Sequence, residues 1–150
     1  MDLTDLIKEL DNNLIVDDYE KKENMIYIYC KSIVNECNCT YCGENSCSIH
    51  SKYIRTLGDL PIQNNSVKLV LTVKKFFCNN PKCNHKTFCE KFDFVDSKAV
   101  RTKRLDEYIN KMGLRDNSMD AVRNLKDAGI TVSSNTVLRI VKKNKNNSIL

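Results

Sequence analysis

Four cysteines stand in two pairs whose spacing suits metal binding. Two residues separate Cys39 from Cys42, and four residues separate Cys78 from Cys83. A short turn between two cysteines lets both thiolates face one ion, and two such turns supply the four sulfurs of a tetrahedral zinc site. Such a site has no open coordination position, so we expect a structural Zn²⁺ ion.

Disulfide bonds are the alternative explanation for the eight cysteines of this chain. The N-terminal segment is acidic and has no basic stretch before an apolar one, so we expect no secretion signal. No apolar run approaches the roughly 18 residues that a membrane span requires. These features predict a cytoplasmic protein, and a reducing compartment favours metal binding over disulfides.

The exact ligand set stays open at two points. Cys37 can replace Cys39, because a spacing of four residues before the next cysteine is also permissible. His50 and His85 are the only histidines, and either can replace one of the cysteine ligands. For His85, which follows Cys83 by two residues, we favour a position at the surface or beside the metal. The cysteines without a metal-binding spacing of their own are Cys30, Cys37, Cys47 and Cys89. A redox function for the first pair lacks the βαβ context that it requires.

Short strands and turns are predicted to position the cysteine pairs. Both pairs lie in turn-rich segments, at 37–48 and 78–87, and Gly43 relieves the backbone after the first pair. The strand–turn–strand unit 49–77 can bring the two pairs together. The predicted elements are a helix at 3–10, strands at 14–16 and 25–30 around a turn at 17–24, and strands at 49–57 and 67–77 with turns at 59–61 and 63–65.

After about residue 97 the apolar residues recur at helical spacing. The first helix starts near residue 102 and is expected to end at Gly113. A second helix is predicted at 118–128. Gly129 follows it in the left-handed conformation, and Ser133 is expected to be the N-cap of a third helix that ends near residue 143. This layout is typical of a helix-turn-helix.

The fold class predicted from these patterns is α+β, with a small β-rich zinc-ribbon-like domain followed by a three-helix helix-turn-helix domain. The predicted boundaries are 1–13 for an N-terminal helix, 14–96 for the zinc-binding β domain, 97–145 for the helix-turn-helix domain and 146–150 for a tail.

The distribution of charge points to an anionic partner. Residues 1–36 hold nine acidic and four basic side chains, whereas residues 37–104 hold five acidic and twelve basic ones. Residues 105–150 add eight basic and five acidic side chains, and the whole chain has a net charge of +5. Nucleic acid is the first candidate for a partner with the opposite charge.

The third predicted helix divides into an apolar face, with Val137, Ile140 and Val141, and a polar face. Arginine and asparagine pair bidentately with base edges in the major groove, and serine, threonine and lysine suit phosphates. The candidate DNA contacts on this helix are Ser134, Asn135, Thr136, Arg139, Lys142 and Lys143. Further candidates for the DNA backbone are Lys74, Lys75, Arg101 and Arg104. The alternative is an ordinary helical hairpin with a solvated basic face.

An ordered set of short motifs resembles a family of bacterial transposases. In chain order the motifs are Cys39-Thr40-Tyr41-Cys42-Gly43, Ile49-His50-Ser51-Lys52-Tyr53-Ile54-Arg55-Thr56, Asp59-Leu60-Pro61, Lys74-Lys75-Phe76-Phe77-Cys78-Asn79-Asn80-Pro81-Lys82-Cys83 and Thr87-Phe88-Cys89-Glu90. They are similar to the N-terminal zinc-binding region of insertion-sequence transposases of the ISL-three type, and the predicted helices match the helix-turn-helix that follows it there. The resemblance covers roughly residues 14–143.

The resemblance implies that Cys39, Cys42, Cys78 and Cys83 are the zinc ligands. It also implies that the region binds double-stranded DNA at the terminal inverted repeats of a mobile element, as part of transposition and DNA recombination. Two departures from the family pattern are Thr40, where proline is common, and the lysine pair at 74–75, where arginines are usual. Point charges replace bidentate contacts at that pair.

The family's catalytic domain would lie beyond residue 150, so we expect a truncated transposase without its own catalysis, associated with the bacterial nucleoid in the cytoplasm. Nothing in the pattern predicts an enzyme, because no nucleophile–base pair or phosphate-binding glycine loop is visible. The alternative function is a protein-interaction module or a transposase-derived regulator. Such a regulator would bind or inhibit a full-length transposase.

Overall fold

The computed structural model describes residues 2–147. Strands dominate the first two thirds of this range and helices the last third, which confirms the predicted α+β class. The elements are α1 (Leu3–Ile7), β1 (Leu14–Lys22), β2 (Met25–Ser32), β3 (Cys37–Asn38), β4 (Asn45–Ser46), β5 (Ile49–Ile62), β6 (Asn65–Phe77), β7 (Thr87–Cys89), α2 (Lys103–Arg115), α3 (Ser118–Ala128) and α4 (Ser134–Asn147). Of the tail predicted at 146–150, the first two residues belong to α4 and 148–150 lie outside the described residues.

A mixed sheet forms the first part, with strand order β1-β2-β6-β5 and β7 paired to the end of β6. β2 and β6 run parallel, and the other neighbours are antiparallel. β5 and β6 form a long hairpin, closed by Gln63 and Asn64 at φ values of 51° and 64°. Both values suit the type I′ turn that matches the twist of a hairpin. At the open end Ile49 pairs with Phe76, so the hairpin brings the two cysteine-bearing segments together.

Alternation along β6 decides which face of the sheet is covered. Val67, Leu69, Leu71 and Val73 are buried, and they pack with apolar residues of β2, α1 and the segment 92–99. The intervening residues of β6 from Ser66 to Thr72 are only partly covered. We call the covered side the core face and the other the open face.

A second core lies between α2, α3 and α4, where Ile109, Leu125 and Val137 have no exposed surface. Gly129 ends α3 at φ 100°, as predicted for a left-handed cap. The turn that it begins rests on the closed end of the β5–β6 hairpin, because Ser66 Oγ donates a hydrogen bond to the Gly129 carbonyl. A Cβ at Gly129 would lie 2.6 Å from the Asn64 carbonyl oxygen. The close approach of turn and hairpin therefore requires glycine there.

Three local predictions are wrong. Residues 17–22 were expected in a turn but continue β1, and 59–61 were expected in a turn but continue β5. Gly113 does not end α2, which runs on to Arg115. A Cβ at Gly113 would lie 2.6 Å from Val141 Cγ2 and 2.8 Å from Val137 Cγ1, so glycine is needed there for the approach of α4.

Candidate metal centre and nucleic-acid interface

The four paired cysteines converge at the open end of the β5–β6 hairpin. The Sγ atoms of Cys39, Cys42, Cys78 and Cys83 all lie within 4.8 Å of one another, and Cys42 Sγ is 3.6 Å from Cys78 Sγ. A zinc ion bound by four thiolates at about 2.3 Å sets sulfurs about 3.8 Å apart. The donor set and the spacing therefore fit a tetrahedral zinc ion.

The first cysteine pair belongs to the small β3–β4 hairpin. Gly43 N donates to the Cys39 carbonyl at 2.9 Å, and Cys39 N donates to the Glu44 carbonyl at 2.8 Å. These bonds close a tight turn in which Gly43 takes a φ of 82°, a left-handed conformation that favours glycine. The turn directs both sulfurs to the same side.

The second cysteine pair lies in the connection between β6 and β7. Cys78 N donates to the Lys86 carbonyl at 2.8 Å, and Cys83 N donates to the Asn80 carbonyl at 3.0 Å. Lys82 N also donates to Asn80 Oδ1 at 3.0 Å. The loop is thus folded back on itself, and it presents its sulfurs toward those of the first pair.

Each of the four sulfurs receives a hydrogen bond from the backbone two residues further along the chain. Tyr41 N lies 3.4 Å from Cys39 Sγ. The other amides that reach a sulfur in this way belong to Glu44, Asn80 and His85. A backbone N–H that points at a thiolate stabilises its negative charge. The two turns are therefore shaped to hold ionised cysteines.

The thiols of Cys42, Cys78 and Cys83 differ in how readily they ionise. The Glu44 amide lowers the pKa of Cys42 to about 7. The Asn80 amide lowers the pKa of Cys78, but loss of solvent and the hydrogen bonds with neighbouring sulfurs outweigh it and raise that pKa to about 12. The His85 amide and the hydrogen bond with Cys78 lower the pKa of Cys83, but loss of solvent and the hydrogen bonds with Cys42 and Cys39 outweigh them and raise that pKa. A divalent cation supplies the positive charge that such a cluster needs, because metal binding requires deprotonated cysteines.

An apolar cluster packs against three of the four cysteines. Phe76 and Phe88 are buried, their rings stack with centroids 5.6 Å apart, and they pack against Cys39, Cys78 and Cys83. This cluster couples the metal centre to β6 and β7.

The sulfur cluster contains Cys39 rather than Cys37, and neither histidine joins it. The His85 ring stacks on Tyr41 with centroids 3.5 Å apart, and the His50 ring packs edge-on against Phe77. Among the described residues, no second group of metal-ligating side chains includes Cys30, Cys47 or Cys89. The structure thus brings together the four cysteines of the two predicted pairs.

The polar face predicted for the third helix lies on α4. Ser133 Oγ accepts a hydrogen bond from Thr136 N at 3.1 Å, the geometry of an N-cap. Arg139 Nη2 donates to Thr136 Oγ1 at 3.3 Å. The exposed candidates are Asn135, Arg139, Lys142 and Lys143, and the half-buried ones are Ser134 and Thr136.

Of the other predicted DNA contacts, Lys74 is buried, with 5% of its surface exposed. Its Nζ donates to the Ser32 carbonyl at 2.8 Å and to the Val34 carbonyl at 2.5 Å. Lys74 is therefore a structural cation that stabilises the end of β2, and no phosphate reaches it. Lys75, its neighbour, is half-buried and faces the opposite side of the sheet.

The two arginines proposed for the DNA backbone are engaged with acidic side chains. Arg101 Nε lies 2.7 Å from Asp106 Oδ1. Arg104 binds both oxygens of Asp59, with Nε 2.8 Å from Oδ1 and Nη2 2.5 Å from Oδ2. Both guanidinium groups thus help to hold α2, and their contact with the DNA backbone stays a prediction.

Two exposed features of this region were missed by the sequence patterns. The Tyr41–His85 stack depends on two turns that are 44 positions apart, and no local signal joins them. Leu138 was not singled out, although 56% of its surface is exposed between Asn135 and Arg139. An apolar residue in the middle of a polar helix face is a signal that the helical period itself could have revealed.

The geometry at the hairpin end defines a zinc-ribbon-type centre. Residues 35–83 match the family described as the zinc-finger of transposase IS204/IS1001/IS1096/IS1165. This match, which covers less than half of the chain, and the sulfur cluster together fit structural Zn²⁺ binding. Neither a curated protein nor a solved structure shows significant similarity to the chain.

None of the helices within residues 2–147 combines the length and the apolar character needed to cross a bilayer.

Proposed function

We propose that this chain is the zinc-stabilised DNA-binding portion of an insertion-sequence transposase. Its partner is double-stranded DNA at the terminal inverted repeats of the element. The observation that supports this most directly is α4. This helix presents Asn135, Arg139 and Lys142 to solvent, and it follows a turn that is fixed against the sheet whose hairpin gathers the four cysteines.

Within the proposal, α3 and α4 are the two helices of a helix-turn-helix, and α4 is the recognition helix. Side chains near the N-terminus of such a helix contact base edges in the major groove. Asn135 suits an adenine and Arg139 a guanine, whereas Lys142 and Lys143 suit phosphates. We keep the division into a metal-binding part at 14–96 and a DNA-binding part at 97–145.

In this proposal the metal stabilises the fold that presents the recognition helix, and it takes no part in a reaction on DNA. Four thiolates complete the tetrahedral coordination of zinc, so no position remains for a reactive water. The chain is therefore proposed to bind DNA without cleaving it. When bound, zinc supplies a crosslink between the turn at 39–42 and the turn at 78–83, and this crosslink stabilises the open end of the β5–β6 hairpin.

Selection from a pool of duplexes with a randomised core of about 20 base pairs tests the proposal. The zinc-loaded chain is expected to enrich one motif and to prefer it over shuffled duplex at 150 mM salt by about 10³-fold or more, as specific DNA-binding proteins do. The ends of ISL-three-type elements should then be searched for that motif. Equal affinity for the motif and the shuffled duplex would exclude sequence recognition.

A second candidate function is docking to a full-length transposase, and one observation favours it. β1 is an edge strand of the sheet, with exposed Asp17, Asp18 and Tyr19. An edge strand offers unpaired backbone groups to another chain. Co-elution of a stoichiometric complex with an intact ISL-three-type transposase, in the absence of DNA, would support this function.

A further inference from the structure

We propose that the chain binds a second stretch of DNA backbone in a groove on the core-face side of the sheet, between the metal centre and α4. This inference rests on the proposed DNA-binding function and adds a surface to it. The groove has a volume of about 880 Å³. The lysines that line it are Lys75, Lys91, Lys98 and Lys103.

The groove is built from parts that are fixed in place. At one end stand the stacked rings of Tyr41 and His85, beside the metal turns. At the other end, Arg55 Nη2 donates to the Asp96 carbonyl at 3.0 Å and to the Ala99 carbonyl at 2.9 Å. These two bonds hold the segment 96–99 against β5, so the wall of the groove is formed before any ligand arrives.

Lys98 occupies that wall in an unusual backbone conformation, with a φ of 64°. A left-handed conformation is uncommon for a residue with a side chain, and it is often found where the side chain serves a function. Lys98 is exposed, and the turn around it is closed by Ala99 N donating to the Asp96 carbonyl at 3.1 Å. The strained residue thus carries its charge into the groove.

The groove is continuous with the recognition helix through Asp96. Asp96 Oδ2 lies 3.9 Å from Lys143 Nζ of α4, and Asp96 Oδ1 lies 3.7 Å from Lys103 Nζ of α2. All three side chains are at least half exposed, so these contacts are weak in water and phosphates can replace them. Both lysines can therefore turn to a DNA backbone that leaves α4 and enters the groove.

The groove keeps an excess of positive charge, because its acidic side chains are too few to neutralise its lysines. Glu90 is buried and accepts a hydrogen bond from Lys74 N at 2.8 Å, so it faces the protein interior. The exposed acids of the groove are Asp93 and Asp96, whereas four lysines line it. Asp96 is itself shared by two lysines of the helices. A polyanion gains more from this surface than a neutral or a cationic ligand does.

The dimensions suit duplex DNA. β6 runs from Ser66, which contacts the turn before α4, to Phe77, which precedes the metal ligand Cys78. Eleven steps of roughly 3.3 Å give about 36 Å between these ends. One turn of B-form DNA rises by about 34–36 Å. A duplex that follows β6 from the turn before α4 can thus reach the groove and the metal turns.

Charge removal on the two faces of the protein tests the inference. In one double variant, Lys91→Gln and Lys98→Gln remove two lysines of the groove. In the matched control, Lys21→Gln and Lys52→Gln remove two exposed lysines from β1 and β5 that do not line it. Zinc content and circular dichroism confirm that both variants are folded. The affinity for the selected duplex is measured between 50 and 300 mM salt.

The groove variant is expected to bind at least about fivefold more weakly, and its slope of log affinity against log salt should fall by about two, because each phosphate contact contributes about 0.9. The control should stay within twofold, and both should select the same motif. Asp96→Asn should bind more tightly than the wild type, because it releases Lys103 and Lys143.

Three results would overturn the inference. If the groove variant and the control bind alike while the wild type remains sequence-specific, the groove is not a DNA surface and the proposed function stands. An unchanged or weakened affinity of Asp96→Asn would show that its lysines do not meet phosphate. If the wild type binds no duplex, the proposed function and the groove fail together.

Discussion

The buried carboxylate of Asp59 binds Arg104 through both oxygens and so joins the sheet to the helices. Asp59 lies on β5 with 2% of its side chain exposed, and Arg104 lies in the first turn of α2. Thr102, the N-cap of α2, also donates its hydroxyl to Asp59 Oδ1 at 2.8 Å. The hydrogen bond with Asp59 raises the pKa of Arg104, against its partial burial. The pair fixes where α2 starts relative to the hairpin.

Asp59→Ala should therefore destabilise the chain, because it leaves a largely buried guanidinium without its partner. We expect a loss of about 3 kcal/mol in the free energy of unfolding, the lower end for a broken buried ion pair, since 27% of Arg104 reaches solvent. Urea denaturation of the zinc-loaded chain measures it. Asp93→Asn, at an exposed acid, serves as the control and should change little. Equal stability of the two variants would contradict the structural role of the pair.

Gly113 lies at a close contact between α2 and α4. The direction in which its replacement changes the stability can therefore be predicted. Alanine favours a helix by about 1 kcal/mol over glycine, but overpacking costs about 1–3 kcal/mol. Because the new Cβ would lie 2.6 Å from Val141 Cγ2, we expect Gly113→Ala to lower the melting temperature. The double variant Gly113→Ala, Val141→Ala should lose less stability than the sum of the two single changes. Strict additivity would show that the two residues do not touch.

The cysteine spacing and the helical periodicity were sufficient to predict which four cysteines cluster and the bounds of α3, because both signals are local. The sequence did not reveal the roles of residues whose partners lie far away in the chain. Lys74 and Arg104 look like free cations in the sequence, yet carbonyls of β2 and the Asp59 carboxylate satisfy them. Gly113 resembles a helix stop until the approach of α4 is known.

The strand order also escaped the sequence patterns. β2 pairs in parallel with β6, so the hairpin of β1 and β2 lies beside a strand that comes more than 30 residues later. The alternation of apolar and polar residues does not by itself select which strand is the neighbour. The charged residues at 17–22 favoured a turn. They are tolerated in β1 because one side of this edge strand is in water.

The metal centre should dominate the stability of the β-rich part. A structural zinc site contributes about 10–16 kcal/mol of apparent binding free energy, which matches or exceeds the net stability of a typical domain. Cys39→Ser and Cys78→Ser should each lose the metal and most of the cooperative unfolding transition, and a chelator should do the same to the wild type. Elemental analysis should give one zinc per chain for the wild type and for Cys47→Ser, whose thiol lies outside the cluster. A chain that stays folded without a transition metal would contradict this role.

Glu90 should make stability depend on pH. Burial raises the pKa of Glu90, and the Lys74 amide and the Lys74 charge lower it by less. The folded chain therefore holds this proton more tightly than the unfolded chain does. The stabilisation is full below the pKa of the unfolded chain and falls as pH rises toward the folded value.

Glu90→Gln keeps an acceptor for Lys74 N but stays neutral, so it lacks this fall. The difference in unfolding free energy between the variant and the wild type should grow in favour of the variant from acid to neutral pH and then stay constant. Urea denaturation at several pH values, with saturating zinc for both proteins, measures it. A difference that does not vary with pH would exclude the effect.

In the proposed function, Arg139 is the side chain on which sequence recognition by α4 should depend most. Its guanidinium is exposed and rests on Thr136 Oγ1, one turn closer to the start of the helix, where base contacts are made. Arg139→Ala should cost about 1–3 kcal/mol of binding free energy and relax the preference at one base pair of the selected motif. Arg115→Ala removes an exposed arginine from α2 and should leave the motif unchanged, so it separates base recognition from general charge. Competition binding against all single-base variants of the motif measures both effects. If Arg139→Ala retains full affinity and the same motif, α4 does not read the bases.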